Sequence, residues 1–313
     1  MSATPRILIV KPSSLGDVVH ALPVVARIRQ RFPDAHIAWL VSDSLQSLLA
    51  HCPLLNELIP FHRQQLGKFP ALLKRLRDGK FDIAVDLQGL LRSGIMTFAT
   101  GAPRRIGLSD AREGSRMFYN EVIPVPQLHA VDRYLRAAEY LGCPDGPVEF
   151  PLGVAATPCE GWIAVNPSAR WPTKLWGDDE FAELIYRLPR ERIVLTGSAA
   201  ERERIERIAQ GCRNKAGTTD LFQLAELYAR CAVVVTNDSG PMHIAAAVGT
   251  PVVAIFGPTD PALTGPYGKQ HVVLRAGVDC SPCLKDRCVH QPPMECMEKV
   301  TVEQVLAEIQ RYQ

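Results

Sequence analysis

Asp17 sits where an apolar run, residues 6–10, breaks into the turn Lys11-Pro12-Ser13-Ser14-Leu15-Gly16. A carboxylate on such a strand-end loop, at the start of a helix, can take a proton from a hydroxyl. Asp at that position is also a common helix cap, so spacing alone leaves both readings open. Lys11 can hold an anionic group or stand as a solvated strand-end lysine. The turn lacks G-x-x-x-x-G-K-[ST] and is not a Walker phosphate loop.

Three further loops have the same layout. After residues 162–166 come Asn166-Pro167-Ser168-Ala169-Arg170-Trp171-Pro172-Thr173-Lys174. Two cations and two hydroxyls at one strand end can neutralise a leaving diphosphate, or the loop can be a surface cover with packed tryptophans. Thr196-Gly197-Ser198 leads to Glu201 and Glu203. Either acid can accept from a ribose or base, or simply favour the first helical turn. The run 233–235 ends in Asn237-Asp238-Ser239-Gly240, followed by His243. Helix-terminal N–H groups there can meet phosphate, while Asp238, Ser239 and His243 can bond hydroxyls. Finally, Cys280, Cys283, Cys288 and Cys296 lie within 17 residues, with His290 among them. They can form a structural zinc site or remain free thiols, since the spacing is not that of a zinc finger or ribbon.

The elements that must position these residues alternate. Strands are expected at 6–10, 36–41, 57–61, 82–87 and 104–108, and helices at 17–30, 44–51, 69–78, 91–100 and 131–141. A Pro- and Gly-bearing linker follows at 142–160. Alternation then resumes with strands at 162–166, 193–196, 233–235 and 252–256, and helices at 179–187, 200–210 and 221–230. Asp178 and Asp220 are expected N-caps, and 301–313 a terminal helix capped by Thr301. This is the pattern of an α/β protein with two Rossmann-like parallel-sheet domains, 1–150 and 151–313, facing a cleft.

Bulk composition narrows the function. The net charge of +2 argues against a dedicated nucleic-acid binder. No apolar run is long enough to span a bilayer, and MSATPRILIV lacks a signal-peptide layout. A cytoplasmic protein is therefore expected.

The segments ILIVKPSSLGDVVHALPVV, FDIAVDLQGLLRSG, HAVDRYL, WPTKLW and NDSGPMHIAAAVGTPVVAIFGPTDP, in this order, resemble the ADP-heptose:lipopolysaccharide heptosyltransferase family, glycosyltransferase family 9. The resemblance runs from Arg6 to about Tyr312. It implies the GT-B fold and inverting, metal-independent transfer of heptose from ADP-L-glycero-D-manno-heptose, with no cofactor. AREGSRMFYN and HAVDRYL favour the branch that adds the first heptose to Kdo-lipid A. CSPCLKDRCVHQPPMECM is closer to the branch that extends heptosyl-Kdo-lipid A. A non-catalytic nucleotide-sugar binding protein is the alternative from another class.

The resemblance also implies roles for individual residues. Asp17 matches the general base. Lys174 matches the lysine on the donor diphosphate, and Asp238, Ser239, Gly240 and His243 match the donor loop. Ser168, Arg170 and Glu201 complete the donor set. Lys11, Ser14, Arg63 and Arg112 are assigned to the acidic acceptor. The first domain would hold the acceptor at the cytoplasmic face of the inner membrane, and the second the donor. The helix at 301–313 would be able to pack back on the first domain.

Overall fold

The computed structural model describes residues 4–155 and 158–312, with Leu66 by its backbone alone. The chain forms two compact units, Met1–Gly153 and Val154–Gln313.

In the first unit the strands are β1 (Arg6–Val10), β2 (His36–Ser42), β3 (Glu57–Phe61), β4 (Ile83–Asp86), β5 (Arg104–Leu108) and β6 (Glu121–Ile123). They make one parallel sheet in the order β3-β2-β1-β4-β5-β6. Helices longer than one turn are α1 (Leu15–Arg31), α2 (Phe69–Asp78), α3 (Leu91–Ala99) and α4 (Ala130–Tyr140). β1 reads RILIV and is buried on both faces, as a central parallel strand must be. One face packs Leu8, Val10, Leu40, Leu76 and Met96 into a shared core.

The second unit repeats the plan. Its strands are β7 (Trp162–Asn166), β8 (Ile193–Leu195), β9 (Arg213–Asn214), β10 (Cys231–Asn237), β11 (Val252–Phe256) and β12 (Val272–Arg275). They pair in parallel in the order β12-β11-β10-β7-β8-β9. Counted from its own first strand, this is the order of the first unit. In each sheet the strand order therefore reverses once, between β1 and β4 and between β7 and β10. The crevices beyond those strand ends are where doubly wound sheets bind ligands.

The helices of this unit are α5 (Asp178–Tyr186), α6 (Arg202–Ala209), α7 (Leu221–Ala229), α8 (Gly240–Ala247) and α9 (Val302–Ile309). Val302, Val305 and Ile309 of α9 lie in the core with Trp176, Phe181 and Ile255. The apolar stripe of α9 is thus used within the core of the second unit. Trp176 anchors this core. It is fully buried, meets Phe181 edge to face at 4.9 Å, and donates its indole N–H to Val300 O at 2.8 Å. Trp176→Ala is expected to cost about 3–5 kcal/mol of unfolding free energy, measured by denaturant titration.

Other expectations need local correction. Residues 43–49 form a 3-10 turn and one α-turn rather than a helix over 44–51, because only Leu48 and Leu49 gain burial there. Asp178 is the first helical residue and not the cap, which is Gly177. Its carboxylate is taken by the Arg204 guanidinium, whose Nε donates at 2.9 Å. Asp220 does cap α7, accepting from Gln223 N at 2.8 Å. Strands β6, β9 and β12 were not expected. All three are short edge or near-edge strands with little buried apolar alternation.

Candidate functional site

The first unit gathers its polar residues at the β1/β4 reversal. β1 ends at Val10, and Ser14 caps α1. Asp17, at the third helical position, accepts from Ser14 N at 3.1 Å and Ser14 Oγ at 2.6 Å through one oxygen. Its other oxygen accepts from Tyr134 OH at 2.9 Å and faces Lys11 Nζ at 3.8 Å. The cap is therefore Ser14 and not Asp17, which is its capping-box partner, and this leaves the second Asp17 oxygen in a polar cluster. About a third of the Asp17 side chain (37%) stays open to solvent.

Burial pushes the Asp17 carboxyl up, but the Lys11 ammonium, the Ser14 hydrogen bonds and His20 outweigh it and hold the group well below the usual carboxylate range. Lys11 is 2% exposed, and burial pulls its ammonium down against the support of Asp17. Its Nζ also lies 5.0 Å from the centre of the Tyr134 ring.

Tyr134 was missed in the sequence. It is almost fully buried on α4, which packs against α1, and Arg133 beside it is held by Asp110 through Nε at 2.6 Å and Nη2 at 2.9 Å. Its place within HAVDRYL was the available signal. Tyr134→Phe is expected to lower kcat about 10-fold and to move the acid limb of kcat/KM toward higher pH, because one donor to the carboxylate is lost. A pH–rate profile superimposable on wild type would deny Tyr134 any hold on Asp17.

Asp86, at the end of β4, was also missed. It is fully buried and accepts from Gln88 N at 2.8 Å, Gly89 N at 3.0 Å and Tyr119 OH at 2.6 Å. The Gln88 side chain in turn accepts from Ser13 N at 3.2 Å, tying the two loops at the reversal. Gly89 has φ +67°, and a Cβ there would lie 3.1 Å from Ala111 Cα. Arg112 is exposed, and its N–H donates to Gly89 O at 2.7 Å, so its backbone borders this crevice. Arg63 is exposed on the loop after β3, two strands away from β1.

The second unit gathers its residues at the β7/β10 reversal. Lys174 Nζ pairs with Asp238 Oδ2 at 2.5 Å, joining the loop after β7 to the loop after β10. Thr259 Oγ1 donates to the same oxygen at 2.5 Å. Asp238 is 5% exposed and Lys174 17%, with Nζ 4.8 Å from the Trp171 ring centre. Asn237 braces both loops: its side chain accepts from Trp176 N at 3.1 Å and donates to Pro167 O at 3.0 Å.

Ser239 caps α8 and Gly240 opens it; Pro241 has no N–H and Met242 N already donates to Ser239 O at 3.2 Å, so in the first three helical positions only the Gly240 N–H lacks an acceptor within the helix. His243 is buried on the next turn. Ser168 follows β7, and its Oγ would lie 3.2 Å from a Cβ on Gly197, which places it over the loop after β8. Glu201 lies at the end of that loop and accepts from Ser198 N at 3.1 Å and Ser198 Oγ at 2.6 Å. Burial raises Glu201, but Ser198 and Arg204 more than offset it, leaving the carboxyl below its ordinary range. Arg170 is exposed on the same loop as Lys174. The structure therefore brings Ser168, Lys174, Asp238, Ser239 and Gly240 to one sheet reversal, with an ammonium and a helix N-terminus that suit a phosphate.

Cys280, Cys283, Cys288 and Cys296 line one cavity of about 300 Å³ with His290. All four are free. Burial and then the neighbouring thiols push Cys296 upward. Among the described residues no three His, Cys, Asp or Glu side chains are arranged to hold a metal ion. His290 is instead engaged by Glu295, Nε2 to Oε2 at 2.9 Å.

Comparison with known proteins agrees with this layout. The family model for glycosyltransferase family 9 (heptosyltransferase) matches residues 69–293. Lipopolysaccharide heptosyltransferase 1 of Pseudomonas aeruginosa is 33% identical over 93% of this chain and 89% of its own. The E. coli heptosyltransferase WaaC, solved with ADP, superposes with a TM-score of 0.82 at 27% identity, covering 98% of this chain and 100% of that one. The E. coli ADP-heptose lps heptosyltransferase II gives 0.81 at 28% identity, covering 98% of each chain. The fold is thus GT-B, and the chain belongs to glycosyltransferase family 9, the heptosyltransferase family.

Proposed function

We propose that this protein transfers heptose from ADP-L-glycero-D-manno-heptose to Kdo-lipid A during lipopolysaccharide core synthesis, with inversion and without a metal. The observation that carries this reading is the Lys174–Asp238 pair beside the N-terminus of α8. The similarity to a heptosyltransferase solved with ADP supports a nucleotide-sugar there. The second unit is the donor domain and the first the acceptor domain.

In this mechanism Asp17 accepts the proton of the acceptor hydroxyl as its oxygen attacks the anomeric carbon. The bond from that carbon to the diphosphate oxygen breaks on the opposite face, and its electron pair leaves with ADP. Lys174 and the Gly240 N–H at the start of α8 neutralise the departing charge, the task a divalent cation performs elsewhere. Asp238, Ser239 and His243 hold sugar hydroxyls, Ser168 and Arg170 border the phosphates, and Glu201 accepts from the adenosine. Lys11, Ser14, Arg63 and Arg112 receive the acidic acceptor, presented at the cytoplasmic face of the inner membrane.

The test is turnover of ADP-heptose against Kdo-lipid A and against heptosyl-Kdo-lipid A, read by product mass, with and without chelator. A single added heptose on Kdo-lipid A, unaffected by chelator, is the expected result. Transfer only to the heptosylated acceptor would favour the second-heptose reading, which the equally good superposition on heptosyltransferase II supports. Transfer to neither would leave a nucleotide-sugar binding protein.

A further inference from the structure

The first unit carries a surface that the proposed chemistry does not use. α3 and the 3-10 turn Ser115–Phe118 lie side by side, and Gly94 makes this possible, since a Cβ there would sit 2.7 Å from the Phe118 ring. Phe98 and Phe118 meet with ring centres 6.0 Å apart, and the Arg105 guanidinium lies 5.5 Å from the Phe98 ring while its Nε donates to Phe118 O. Leu91 and Phe98 are seven residues apart on α3 and share a face.

Three large apolar side chains on these two elements face solvent: Leu91 at 42% exposure, Phe98 at 56% and Met117 at 76%. They make up three of the seven exposed large apolar side chains among the described residues. Arg92 and Arg116, next in sequence to Leu91 and Met117, are exposed, and the Arg92 guanidinium lies 5.5 Å from the centre of the Phe61 ring. Within 91–118, with Arg112 of the acceptor set left aside, four arginines stand against two acidic residues. The nearest acid, Glu113, is occupied at the N-terminus of α3, accepting from Leu91 N at 3.1 Å.

Exposed apolar side chains with arginines on the same elements fit the boundary of an anionic bilayer, where rings and thioethers enter the acyl margin and guanidiniums meet phosphate headgroups. We infer that α3 and the Ser115–Phe118 turn are a docking surface for an anionic lipid bilayer. The inference rests on the transferase reading only for its purpose, which is to bring the first unit to a membrane-borne acceptor.

Co-sedimentation of the full chain with acceptor-free vesicles tests it, in the absence of donor. Wild type should bind phosphatidylcholine vesicles containing phosphatidylglycerol at least 10-fold more tightly than pure phosphatidylcholine, and added salt should weaken the binding. Phe98→Ser with Met117→Ser, and separately Arg92→Glu with Arg116→Glu, should each lower binding at least 10-fold. The variants lose only the surface contacts of Phe98 with Phe118 and Arg105 and of Arg92 with Phe61, so thermal melting should fall only slightly, and turnover on detergent-dispersed acceptor should persist. Wild type that ignores anionic vesicles, or variants that bind as well as wild type, would overturn the inference. A dimer in gel filtration that the Phe98/Met117 variant dissociates would assign the patch to a second copy instead. Failure of the transferase assay would leave the vesicle result untouched, so the two readings fail separately.

Discussion

Asp17→Ala is expected to lower kcat by about 10³–10⁴-fold while ADP-heptose affinity stays within about twofold, the range that loss of a general base produces. The split matters, since Asp17 lies in the first unit and the candidate donor residues in the second. Isothermal titration with ADP-heptose and turnover on the same protein separate the two effects. The carboxylate holds Ser14 N, Ser14 Oγ and Tyr134 OH and faces Lys11, so it is a weak base in the resting protein. It therefore stays ionised well below its ordinary pKa of 3.8, and the acid limb of kcat/KM should lie below pH 4. The sign for folding is the same. A depressed carboxyl contributes stability above its unfolded pKa and loses it as pH falls through the folded value. Retained turnover in Asp17→Ala would remove this residue from the chemistry and leave it the capping-box partner of Ser14.

Lys174→Ala is expected to lower kcat by about 10²–10³-fold and to weaken ADP binding at least 10-fold, the scale seen when one preorganised donor to a developing charge is removed. Both effects should appear together, unlike those of Asp17, because the ammonium meets diphosphate before and during bond cleavage. The substitution also strips the ion-pair partner from Asp238, which is only 5% exposed, so thermal melting must accompany the kinetics. Thr259 Oγ1 remains on that carboxylate and limits the damage. Lys174→Arg keeps the charge and should restore most of the ADP affinity. Unchanged ADP binding in Lys174→Ala would place the diphosphate elsewhere.

What the sequence disclosed follows from how far apart the interacting groups are. β1, β7, β10 and β11 were legible because they are buried on both faces and read as unbroken apolar runs. β9, with the sequence Arg213-Asn214, carries no such signal and exists because β8 offers it a parallel partner. The loops that end β1, β7 and β10 offered Asp17, Lys174 and Asp238 as candidates by residue type, and the resemblance supplied their expected roles. The groups that orient them did not show, because Tyr134 lies 117 residues from Asp17 and Thr259 lies 21 from Asp238. The packing of α4 on α1 and the pairing of β10 with β11 bring such partners together. Asp178 was misplaced for the same reason: Arg204, 26 residues on, competes for its carboxylate.

The Lys174–Asp238 pair gives donor binding a particular character on the proposed reading. Without nucleotide the ammonium is already desolvated against Trp171 and neutralised by a carboxylate. An arriving diphosphate exchanges one anion for another, and a departing ADP is replaced by Asp238 rather than by bulk water. The carboxylate then acts as an internal competitor, limiting how tightly product is retained and keeping turnover from stalling at ADP release. Asp238→Asn, by removing that competitor, would be expected to slow ADP dissociation in stopped-flow displacement.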